Sequence, residues 1–151
     1  MLTQLLSDGA IRQTIEASYQ MLARTAVPLG VAYHREIDDP HPAGKTTIRV
    51  KVTPTKPGGG RAVDLTYTGT LDVVIDNSRQ NLDLIDMKCV GGTMSGRNVF
   101  DLVRGQMQQG MSTSTIHLKI RQKAANPMSE PMIRSTVKTK VTMETLSAGS
   151  E

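Results

Sequence analysis

Five side chains able to ligate a metal ion fall within residues 34–41: His34, Glu36, Asp38, Asp39 and His41 in "YHREIDDPH". Imidazole with carboxylate is genuine metal-ligand chemistry. The spacing matches no tight ligand pattern, however, and in a Pro-rich segment these residue types are turn-formers and solvated charges. A second stretch, "CVGGTMSGRNVF", sets glycines and Ser95 ahead of Arg97, where backbone N–H groups at a helix start would hold an anion. It matches neither G-x-x-x-x-G-K-[ST] nor G-x-G-x-x-G, and "GTMSG" is not a G-x-S-x-G nucleophile elbow. Cys89 is the only cysteine; no base pairs with it in the sequence, so it reads as a small buried hydrophobe. The chain therefore shows no catalytic constellation, and the expectation is a protein that is not an enzyme, with no cofactor and no metal.

The remaining chemistry is positive charge at period two. In "STIHLKIRQK", Ile116, Leu118 and Ile120 alternate with His117, Lys119, Arg121 and Lys123. Arg49 and Lys51 stand in the same way between Ile48, Val50 and Val52. Arg134, Lys138 and Lys140 do so among Ile133, Val137, Val141 and Met143. If these strands share a sheet, its outer face is basic and meets either a phosphate backbone or an acidic protein. The plain alternative is a solvated face whose charges blunt edges and pair with Asp64 and Asp72. Single-strand readers add stacking aromatics, and none lies among these residues.

The elements that position these groups follow from periodicity and breakers. Ile11, Ile15, Tyr19 and Leu22 predict a helix over 8–24 within an N-terminal helical region 1–28, with Ser7 or Asp8 as cap and Pro28 as stop. "HREIDDPHPAGK" reads as a loop. Residues 45–76 read as a long β-hairpin around "TPTKPGGGRA", its second strand bent at Gly69. The hairpin tip carries Lys56 and Arg61 and would act as an arm reaching a neighbouring subunit. Residues 78–90 fit helix or strand, leaning to a strand from Leu82. Val99, Val103 and Met107 predict a helix over 95–110, capped by Ser95 and stopped by Gly110. A C-terminal hairpin over 115–144 ends the pattern. The fold class expected is α+β: one domain over 1–151, mainly antiparallel β as a small sandwich or barrel-like sheet, with an N-terminal and an internal helix.

Composition narrows the function. The 151 residues carry 9 Met, 1 Phe, 3 Tyr and no Trp, so the core rests on aliphatic and Met side chains. The single cysteine excludes an internal disulfide framework. No signal sequence and no apolar stretch of about 18 residues occurs, which predicts a cytoplasmic protein or one assembled into a virion. The formal charge of +4 is blocked along the chain: −2 over 1–44, +5 over 45–62, −2 over 63–105 and +3 over 106–151. Such blocks speak of partners rather than fold. The expected function is a self-associating subunit of a ring, tube or shell, of the kind that builds phage or virus particles such as tail tubes, in a large homo-oligomer. The alternative is a nucleic-acid-binding or packaging module that uses the basic sheet face.

Overall fold

A computed structural model describes residues 15–41, 43–56, 60–76, 78, 85–122 and 132–145. Among these residues six strands follow one another in the chain and in space: β1 (Tyr33–His41), β2 (Gly44–Thr55), β3 (Ala62–Ile75), β4 (Ile85–Asp101), β5 (Gln106–Gln122) and β6 (Met132–Glu144). Every neighbour pair is antiparallel. The sheet is an open meander with β1 and β6 at its edges, not a closed barrel, and no second sheet is present among the described residues. The β-rich α+β class holds.

One helical segment, α1 (15–20), lies on the apolar face of the sheet. The rest of the expected helix, with Ile11 and the caps Ser7 and Asp8, lies outside the described residues. Ser18 and Met21 are buried, and the Tyr19 ring meets Phe100 edge-on at 5.4 Å. The Met107 amide donates to Tyr19 Oη at 3.1 Å. The residues that follow Tyr19 reach β1, where Tyr33 Oη donates to the Met21 carbonyl at 2.8 Å and Arg35 Nε to the Gln20 carbonyl at 2.9 Å. Residues 19–21 are thus tied to β5 on one side and to β1 on the other.

Register explains the core. Tyr33, Val52, Tyr67 and Gly96 stand in one cross-strand row, and Ile37, Ile48, Leu71 and Gly92 in another. With Val50, Leu65 and Phe100, the large members of these rows form the buried cluster. Alternation puts them all on one face.

Two expectations fail. Residues 34–41 form strand β1 instead of a loop: Ile37 is buried, and pairing to β2 overrides the weak strand propensity of Asp and Pro. Pro40 is tolerated because β1 is an edge strand. Residues 95–110 form no helix; they are the end of β4, a turn and the start of β5. The i, i+4 spacing of Val99, Val103 and Met107 arises from a strand, a turn and a strand. Ser95 caps nothing, and Val103 is 66% exposed.

The turn itself has clear chemistry. Asp101 Oδ1 accepts from the Val103 and Arg104 amides at 2.9 and 3.0 Å, and Gly105, at φ +63°, returns its amide to the Asp101 carbonyl at 2.9 Å. The Arg104 amide, and after it the Val103 amide, hold the Asp101 carboxyl below the usual carboxylate range, against an opposing desolvation effect. A depressed folded value means that this support is fully present above the unfolded value of about 3.9 and is lost as pH falls through the folded value. Amide exchange at Val103 and Arg104 is expected to accelerate selectively on acidification, beyond the intrinsic change. Asp101→Asn should flatten that dependence while keeping the turn.

Candidate functional site: the polar face of the sheet

The face opposite the core is a polar plane. In the middle of the sheet it is built from hydroxyls: Thr66, Thr68 and Thr70 on β3, Thr93 and Ser95 on β4, and Thr113 and Thr115 on β5. The cations expected on one basic face do share it, but in two groups. Lys51 lies in the row His34–Lys51–Thr68–Ser95–Thr113–Lys140, and Arg49 in the row Glu36–Arg49–Thr70–Thr93–Thr115–Lys138. Three intervening strands put Lys51 about 19 Å from Lys140, and Arg49 as far from Lys138, at a strand spacing of ~4.8 Å.

In the β1–β2 group two cations are paired with carboxylates of β1, while Lys51 has no ion pair among the described residues. Arg49 Nε contacts Glu36 Oε2 at 2.7 Å, and Lys45 Nζ contacts Asp38 Oδ2 at 2.8 Å. Lys45, and after it the Thr47 hydroxyl at 2.8 Å, hold the exposed Asp38 carboxyl below its ordinary range. In the centre, Asp64 accepts from Arg97 Nε at 2.9 Å rather than from Arg49 or Lys51. Its second oxygen, like Asn98 Oδ1, is buried with no hydrogen-bond partner among the described residues. Burial pushes the Tyr67 and Tyr33 phenols upward, so both remain neutral donors.

The β4–β6 group is different. A bulge at Val90 shifts the register of β4, so that Lys88 stands directly opposite Lys119, and Lys119 directly opposite Arg134. His117, Lys138 and Lys140 extend this surface, and Arg121 stands opposite Asp86. All of these basic side chains are exposed. Lys88, which the sequence did not single out, is the unexpected member. Lys123 lies outside the described residues. Lys56 and Arg61 are exposed on either side of the β2–β3 tip, of which 57–59 are likewise outside them, so the arm itself is undescribed.

The other candidates separate. His34, Glu36 and Asp38 share the polar face while Asp39 and His41 alternate to the other, and His41 Nε2 sits 3.1 Å from Thr46 Oγ1. Among the described residues no group of three or more His, Cys, Asp or Glu is placed to hold a metal ion. Cys89 is buried, with Sγ 3.7 Å from the Gly91 carbonyl. Without a helix at 95–110 there is no helix start for an anion at Ser95 and Arg97. Among the described residues no helix is long and apolar enough to cross a membrane.

Comparison of the chain with protein-family models, with curated proteins and with solved structures found no match.

Proposed function

We propose that the protein is a self-associating structural subunit whose sheet is continued by neighbouring copies. The observation that carries this reading is β6. It is a 13-residue strand at the sheet edge, and Ile133 and Val137 on its apolar side are 60% and 43% exposed. Long open edges present rows of unpaired N–H and C=O groups, which a strand from another chain satisfies.

Charge favours one geometry over another. Two β6 edges meeting each other would bring Arg134, Lys138 and Lys140 against their own copies. Pairing of β6 with β1 of the next copy avoids this, since the acidic groups Glu36 and Asp38 on β1 already have their cations. Such head-to-tail contacts either close into rings or run on as tubes, which agrees with a particle-building role. The test is the size of the purified protein by sedimentation velocity and negative-stain imaging. Regular rings or tubes support the reading, and a monomer at tens of micromolar protein overturns it.

A further inference from the structure

We infer that the β4–β6 end of the polar face is a binding surface for a nucleic-acid phosphate backbone, centred on the row Lys88–Lys119–Arg134. Like charges directly opposite one another in a sheet are destabilising. Here three lie in one row, one on each of three adjacent strands. No carboxylate forms an ion pair with any of them among the described residues. The nearest carboxylates by register are Asp86, opposite Arg121, and Asp72, on β3. The acidic groups of β1 are some four strands away and already held by Lys45 and Arg49.

Protection of a sheet edge does not account for the row. Charges on the edge strand itself discourage wrong pairing, and Arg134, Lys138 and Lys140 have that use. Lys119 is flanked by β4 and β6, where an edge needs no guarding, and it lies on the polar face, where the core gains nothing from it; Lys88, beyond the last β3–β4 pair at Gly92, extends the row by one strand. A polyanion laid across β4–β6 would convert the mutual repulsion into attraction. The surface is elongated: Arg134 to Lys140 spans about 20 Å along β6, and Lys88 to Arg134 about 10 Å across the strands. No Phe, Tyr or Trp occupies a described position on this face, so bases have no large stacking platform. Recognition is therefore of the phosphate backbone, without regard to sequence. Leu118 and Ser135, between the basic positions, point to the opposite face and add no base-reading group here.

The test uses the double variant K88Q/K119Q, which leaves β1 and β6 untouched and so separates this inference from the assembly reading. Binding of a random-sequence 30-base-pair duplex, and of a single strand of equal length, is measured from 50 to 200 mM salt. The wild type should bind the duplex with a steep salt dependence. Removing two phosphate contacts should lower affinity on the order of tenfold or more at 0.1 M salt and make the log–log slope shallower by about 2. Without nucleic acid, the variant should have a thermal midpoint at low salt equal to or above that of the wild type, and it should assemble as the wild type does. Equal duplex affinity in variant and wild type overturns the inference, as does no binding by the wild type at 50 mM salt. Polyglutamate binding as tightly as duplex overturns it in favour of an acidic protein. A lowered midpoint in the variant would show that the row supports the fold, and would remove the argument from repulsion.

Discussion

The variant I133K/V137K is expected to fold normally and to remain monomeric. Both side chains are exposed on the apolar side of β6, so replacing them removes little buried area; the folding cost should stay below about 1 kcal/mol. Their effect on association should be much larger. A lysine pointing to the apolar side of an edge strand becomes buried when another strand is added there, and an unpaired buried charge makes that addition unfavourable by several kcal/mol. Circular dichroism and denaturant midpoint report the fold, while sedimentation reports the assembly. Rings or tubes of wild-type size from this variant would show that β6 is not the contact, even if the protein assembles by another surface. Loss of both fold and assembly would be met with I133T/V137T, which keeps the β-branching and β propensity of the strand and should assemble, though more weakly.

The hairpin β2–β3 was legible because both strands alternate strictly and flank a Pro- and Gly-rich tip. β6 was legible for the same reason. β1 was hidden, since Asp38, Asp39 and Pro40 carry turn chemistry that an edge strand accommodates and a sequence reading cannot place at an edge. β4 and the start of β5 were hidden by their inner face, where Gly92, Gly96 and Gly110 stand at positions that larger side chains occupy in the other strands. With small residues there, period two lost its amplitude, and the chance spacing of Val99, Val103 and Met107 prevailed. The basic surface was half legible. Alternation assigned Lys119, Arg121, Arg134, Lys138 and Lys140 to one face, but strand order alone separated them from Arg49 and Lys51. Lys88 shares the parity of Gly92 and Met94, which face the core. Only the one-residue bulge at Val90 turns it outward, because a shift of one residue exchanges the faces of a strand.

Those small inner-face residues lead to the second large effect, at Gly96. Its backbone is ordinary extended strand, so no unusual φ demands glycine. The demand comes from space. Tyr67 stands directly opposite on β3, is 4% exposed, and turns its phenol across Gly96 toward the Met111 carbonyl, 3.5 Å from Oη. A Cβ at position 96 would collide with the Tyr67 phenol on one side and with the Met111 carbonyl oxygen on the other. The ring thus covers a strand glycine and fills the core above it. Gly96→Ala is expected to cost about 3 kcal/mol by overpacking, and Gly96→Val to prevent stable folding. Tyr67→Ala should itself cost about 3–5 kcal/mol, as loss of a large buried aromatic does. The informative protein is Gly96→Ala/Tyr67→Ala, in which the space vacated by the ring receives the added methyl. Its destabilisation, from urea midpoints, should fall short of the sum of the two single changes by at least ~1 kcal/mol, since residues in direct contact are coupled. The contact with Met111 remains in the double variant, so the rescue should be partial. Strict additivity would mean that Tyr67 does not lie over Gly96, and that the β3–β4 register places the ring elsewhere.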